Sequence, residues 1–176
     1  MTSNPYSAFT TTCSGIAQKL MTKAWVQYAG SNNEVDALWD TGATTTCISQ
    51  ELAQKLNMIP TGKSSILTPS GGTIVNTYLI DIALPNGVTV KDVVVCDSNI
   101  GAQKIDLLIG MNIISCGEFC VSSHGGRTTF SFIIPPISDA DFLPKAKTFN
   151  SSMQGHKRKK EIAFPRSNPG KFFENF

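Results

Sequence analysis

Asp40, Thr41 and Gly42 are the residues of this chain whose types and order could do chemistry. They follow the apolar stretch Ala37-Leu38-Trp39 and lead into Ala43 and Thr44. A carboxylate delivered at the end of a buried strand can activate water. The hydroxyl of Thr41 can orient it, and Gly42 has no side chain to keep another backbone, such as a peptide, at a distance. Alone, the triplet is weak, because an aspartate where a strand turns is ordinary turn chemistry.

A second stretch adds to it. Asp106-Leu107-Leu108-Ile109-Gly110 is an apolar strand ending in glycine, and Met111-Asn112-Ile113-Ile114 follows with helical potential. Together, Leu38-Trp39-Asp40-Thr41-Gly42-Ala43 and Leu108-Ile109-Gly110 resemble the two halves of the retropepsin-like aspartic protease pattern, in order and at a fitting separation. The resemblance covers roughly residues 14–135. A polar residue usually follows the second glycine in that family; here Met111 does, with Asn112 next.

The resemblance implies a mainly β fold, a single-lobe acid-protease barrel with a flap hairpin and one or two short helices. It assigns catalysis to Asp40, Thr41 and Gly42, and substrate binding to Ala43, Thr44 and the flap-tip residues Ser70, Gly71 and Gly72. Gly110 becomes a packing residue behind the catalytic loop. Peptide hydrolysis of this kind needs two carboxylates sharing one proton, because two so close cannot both ionise. The chain holds one Asp-Thr-Gly and is too short for the two-lobed form. A homodimer is therefore expected, with two copies of Asp40 meeting on a twofold axis. The implied activity is aspartic endopeptidase, without metal or other cofactor. The alternative is an inactive dimer of the same fold that binds peptides.

The elements that must position these residues can be read from periodicity. Leu20–Tyr28 alternates and contains Trp25, Val26 and Tyr28, which predicts a strand. Gly30-Ser31-Asn32-Asn33 predicts a turn, and Glu34–Trp39 the return strand. Ile48, Leu52, Ala53 and Leu56 have helical spacing, with Ser49 as N-cap and Pro60 beyond the end. Residues 64–84 predict a hairpin with its tip at Pro69-Ser70-Gly71-Gly72. Pro85-Asn86-Gly87 is a turn, Val88–Cys96 a strand, and Asp97–Lys104 a loop. Ile105–Ile109 and the helix Asn112–Cys116 follow. Glu118–Ser122 and Thr128–Ile134 form a last hairpin. Thr44, Ile66, Ile74 and Ile113 hint at an apolar cleft.

The expected organisation is an N-terminal extension (1–13), loose or at most an edge strand, then a protease domain (14–136) and a basic, flexible C-terminal tail (137–176). Of fifteen Lys and Arg, the tail holds eight, against four of thirteen Asp and Glu, so it carries +4 and the body −2. The basic run 156–160 is the one hint of nucleic acid. A near-neutral body without interleaved aromatic and basic residues argues against that partner. Phe164-Pro165 resembles an aromatic-proline bond that some retropepsins cleave.

Hydrophobic residues make up 41% and charged residues 16%, which suits a chain with a real core. No apolar run reaches the length of about 18 residues that a membrane span needs. The N-terminus shows no secretory pattern, and the chain, which begins with Met, is expected to be complete, so that it need not be cut from a polyprotein. The five cysteines are an odd number without C-x-x-C spacing. Reduced thiols in a cytoplasmic compartment are the expectation. Cys116 and Cys120 beside His124 invite a zinc site, but a fourth ligand is not evident and the stretch reads as strand and turn.

Overall fold

Strand alternation builds the molecule. In Leu20–Tyr28, Ala24 and Val26 are buried; in Ser31–Trp39, Val35, Ala37 and Trp39 are. Each strand thus offers one apolar face. The computed structural model describes residues 6–68 and 71–152, and the chain divides into two units, Met1–Ser138 and Asp139–Phe176.

In the first unit the elements run β1 (Ser7–Cys13), β2 (Leu20–Tyr28), β3 (Ser31–Trp39), β4 (Cys47–Ser49), α1 (Gln50–Lys55), β5 (Gly62–Thr68), β6 (Gly71–Ala83), β7 (Thr89–Ser98), β8 (Leu107–Ile109), α2 (Met111–Ile114), β9 (Glu118–His124) and β10 (Arg127–Ile134). Seven strands pair in the order β2-β3-β8-β4-β7-β6-β5. Strand β2 also pairs with β6, through Trp25↔Ala83, Val26↔Ile82 and Gln27↔Asp81. That contact closes six strands into a barrel, with β5 as the outer arm of the β5–β6 hairpin. The fold is the retropepsin-like barrel.

A second sheet, β1-β10-β9, packs its aromatic residues onto Trp39. Ring centroids lie 4.9 Å from Trp39 to Phe132, 5.2 Å to Phe130 and 5.7 Å to Phe9. The Trp39 indole N–H donates to the Thr22 hydroxyl at 2.9 Å. Each such aromatic pair contributes about 0.5–1.5 kcal/mol beyond its buried area. The residue before Asp40 is thereby fixed on every side.

Residues 7–13 form an edge strand, within the sequence expectation, paired with β10 from Ser7↔Ile134 to Cys13↔Thr128. Other boundaries differ from that expectation. The first turn is Ala29-Gly30, at φ 48° and 79°, and Ser31, Asn32 and Asn33 already pair with β2. Two left-handed residues suit the strand twist, so pairing extends past the polar residues that suggested a longer turn. Ile48 is the middle residue of β4, and the helix begins after Ser49, whose hydroxyl accepts from the Leu52 N–H at 3.0 Å. Asp97 and Ser98, expected in a loop, are the last two residues of β7. Ile113 is 1% exposed and belongs to the core, not to a cleft.

In the second unit, helix α3 (Leu143–Ser152) occupies part of the stretch expected as a flexible tail. The basic run 156–160, Phe164-Pro165 and the hairpin-tip residue Ser70 lie outside the described residues. Among the described residues no helix is long and apolar enough to cross a membrane.

Candidate active site

Strands β3 and β8 lie side by side and parallel, with Leu38 opposite Leu108 and Trp39 opposite Ile109. Both run out at the same end of the barrel. The two motifs, some seventy residues apart in the chain, therefore meet as Asp40 and Gly110. The Asp40 N–H donates to the Ile109 carbonyl at 3.0 Å, continuing the ladder by one bond.

Asp40 is half-buried, while Thr41, Gly42 and Thr44 are exposed. Oδ1 of Asp40 accepts the Gly42 N–H at 2.8 Å, and the Asp40 carbonyl accepts the Ala43 N–H at 3.2 Å. This turn holds the carboxylate against its own loop. A Cβ on Gly42 would lie 3.2 Å from that same Oδ1, so a side chain there would press on the acid.

The loop is tied down from behind. Met111 and Asn112 N–H groups donate to the carbonyls of Ala43 (2.8 Å) and Thr44 (3.1 Å). The buried Thr46 hydroxyl accepts the Gly110 N–H at 3.1 Å and donates to Asn112 Oδ1 at 2.7 Å, and the Thr46 N–H reaches the same oxygen at 2.9 Å. Gly110 is pressed against this loop. A Cβ there would sit 2.7–2.9 Å from backbone atoms of Thr45 and Ala43, closer than real Cβ atoms come. Thr46 and Asn112 are the residues that sequence reasoning missed. Thr46 stands last in the run Thr44-Thr45-Thr46, and nothing in the run distinguishes it.

The proposed substrate-side residues divide. Ala43 and Thr44 lie on the Asp40 loop. Gly71 and Gly72 begin β6, opposite Thr68 and Leu67 in the hairpin register. Beside Asp40 a groove of about 310 Å³ is lined by Gln18, Lys19, Leu20, Leu38, Trp39 and Thr41. A larger cavity, about 590 Å³, lies between α1 and strands β6 and β7. Its carboxylate, Asp97, is 5% exposed and engaged by the Asn76 N–H, the Asn76 amide and the Tyr78 hydroxyl at 3.0, 3.0 and 3.3 Å. Three donors satisfy that acid structurally, so the smaller groove is the one associated with the chemistry.

Cys47 opens β4, paired with Cys96 of β7. Burial above all, then Cys96, Asp97 and Asp40, pushes its thiol up to about 11. It stays a neutral thiol at acid and neutral pH, which removes it as a nucleophile. All five cysteines are free. Cys116 follows α2, and Cys120 and His124 lie on β9; among the described residues no cluster of three metal-ligating side chains forms.

Solved structures with similar folds include a retropepsin-like aspartic protease from Rickettsia conorii (15% identity, 76% of this chain and 99% of that one, TM-score 0.49). EIAV protease in complex with an inhibitor is similar at 17% identity over 56% and 86% (TM-score 0.44). The protease of Simian Foamy Virus (mac) is similar at 21% over 53% and 92% (TM-score 0.38). No curated protein matches in sequence. The family described as "gag-polyprotein putative aspartyl protease" matches residues 26–115, just over half of the chain, spanning Asp40 and Gly110. The chain belongs to this retropepsin-like aspartyl protease family.

Proposed function

We propose that the chain is an aspartic endopeptidase that works as a homodimer. A water held between Asp40 and Asp40 of the partner subunit is the nucleophile. The ionised carboxylate takes a proton from that water while its oxygen attacks the scissile carbonyl carbon. The other carboxyl, protonated, gives its proton to the carbonyl oxygen. The tetrahedral diol then collapses: the C–N bond breaks, the amine leaves with a proton from the dyad, and the new acid is released.

The observation that carries this reading is the placement of Asp40. It is half-buried at the barrel end, its loop tied at the back and open at Thr41 and Gly42 in front. In the proposed dimer the Thr41 hydroxyls brace the two loops, and Gly42 lets the substrate backbone approach. Ala43 and Thr44 line the groove, with Gly110 supporting the loop from behind. The β5–β6 hairpin acts as the flap, with Ser70, Gly71 and Gly72 at its tip, and excludes water on closing. A cytoplasmic, reducing compartment fits the five free thiols.

The test is cleavage of an unstructured protein such as casein between pH 4 and 7, at two enzyme concentrations, with and without pepstatin. Asp40→Asn is run alongside; it keeps an oxygen that can accept from Gly42, so fold and dimer are expected to survive. Activity is expected to vanish in the variant, to rise faster than linearly with concentration, and to follow a bell-shaped acid-side pH profile. Cleavage that persists in Asp40→Asn removes the proposal. A folded dimer that binds peptides but never cleaves them reassigns the chain to peptide binding.

A further inference from the structure

We propose that the groove beside Asp40 selects a glutamate side chain of the substrate adjacent to the scissile bond, with Lys19 as its partner. This rests on the protease reading above and adds the substrate class. The groove is small, about 310 Å³, at the lower limit of ligand pockets, and has room for a substrate side chain. Leu20 and Leu38, both partly exposed, supply apolar wall, while the ring of Trp39 is buried among the aromatic residues behind it. Gln18 and Lys19 supply an amide and an ammonium.

Lys19 is available for this role. Its Nζ donates to the neutral Gln103 amide oxygen at a long 3.3 Å. Among the described residues the ion pairs belong to a different lysine, Lys23, with Glu34 at 3.5 Å and Asp36 at 2.8 Å. Asp40 shares the groove with Lys19 without forming an ion pair with it. The wall thus presents a positive charge with no carboxylate on it, next to an apolar surface.

A glutamate fits both halves. Its two methylenes lie against Leu38, and its carboxylate reaches the ammonium of Lys19. Aspartate is too short to do both. A lysine or arginine side chain would meet like charge. A purely aliphatic side chain would use the floor and leave the ammonium to water. An ion pair at this exposure is worth up to about fivefold, so the groove ranks substrates without excluding others.

The test uses three peptides that differ only in Glu, Gln or Lys, placed in turn on either side of the scissile bond. The readout is the ratio of kcat/KM values for each enzyme. The wild type is expected to favour Glu over Gln by about fivefold at pH 6 in low salt. The ratio should fall toward one near pH 4, as the substrate glutamate protonates around its ordinary value of about 4.3, and it should fall in 1 M salt. Lys19→Met should bring it to one at pH 6, and Lys19→Glu should turn the preference toward Lys. Because each ratio is taken within one enzyme, a poorly folding variant does not distort it, and the pH and salt arms need no variant at all. Asp40-dependent cleavage with no preference for Glu at either position overturns this inference alone, as does a preference that survives in Lys19→Met. If no peptide is cleaved in an Asp40-dependent way, the protease reading falls and this inference with it.

Discussion

Replacing Thr46 by valine removes one hydroxyl and changes almost nothing else. The side chain is fully buried, and valine keeps its shape. The hydroxyl makes two bonds, donating to Asn112 Oδ1 at 2.7 Å and accepting the Gly110 N–H at 3.1 Å. Asn112 Oδ1 keeps the Thr46 N–H, so its loss is one bond among two. The Gly110 N–H is left buried with a methyl against it. A lost hydrogen bond costs about 1 kcal/mol, and a stranded buried donor about 1–3 kcal/mol. The expected total is about 3 kcal/mol. Thr46→Ser is the counterpart: it keeps both bonds and loses one methyl, at about 1 kcal/mol. Urea unfolding at one fixed protein concentration measures both. With a slope of about 1.5 kcal/mol per molar, the valine midpoint should fall by about 2 M and the serine midpoint by about 0.7 M. If serine costs as much as valine or more, the hydroxyl is not what ties the loop to the strand end, and the account of the site's backing is wrong.

Other outcomes follow from the same geometry. Gly110→Ala places a methyl 2.7–2.9 Å from backbone that cannot move without breaking the tethers, and should cost about 3 kcal/mol in thermal or urea unfolding. Cys47 supplies a pH dependence. Burial first, then Cys96 and the neighbouring acids, keeps its thiol protonated up to about 11, whereas the unfolded thiol releases its proton near 9. The folded chain therefore binds more protons than the unfolded chain between those values, so stability is full below about pH 9 and falls as pH rises toward 11. Partial exposure discounts the effect to about 1 kcal/mol, and Cys47→Ala should flatten that slope in pH-dependent melting. Asn112→Ala removes the acceptor of two Thr46 bonds and should lower stability, and should raise the dissociation constant of the proposed dimer, read by sedimentation.

What the sequence made legible were the features carried by neighbours in the chain. Ser49 as N-cap could be placed because capping is local. The β2–β3 hairpin and the turn at Gly87 follow from alternation and turn chemistry. The pairing of Asp40 with Gly110 was legible only through the family pattern, since nothing local announces that β3 and β8 run parallel. Thr46 was hidden for a physical reason. Thr44, Thr45 and Thr46 have identical chemistry, and only the third points into the barrel, where its hydroxyl must find partners. Asp97 was hidden similarly: an aspartate beside a serine reads as loop, but three donors make its burial tolerable. Asn32 and Asn33 misled because asparagine is at home both in turns and at the start of a paired strand, and the left-handed pair Ala29-Gly30 had already made the turn.

The asymmetry of the Asp40 loop has a thermodynamic consequence for the proposed dimer. Ordering a flexible backbone costs about 1–2 kcal/mol per residue. Were the five residues 40–44 free in the monomer, association would have to meet about 5–10 kcal/mol before any new contact counted. Instead the Asp40 N–H is held by Ile109, the Ala43 and Thr44 carbonyls by α2, and the strand that follows by Thr46. That ordering is met during folding of each chain, where burial of Trp39 and the aromatic sheet offsets it. The exposed Thr41 and Gly42 then meet their partner already in place, so most of the association energy is left for contacts across the axis. Damage behind the loop should consequently weaken association more than an equal loss of stability elsewhere in the barrel, because it returns part of that ordering cost to the encounter itself.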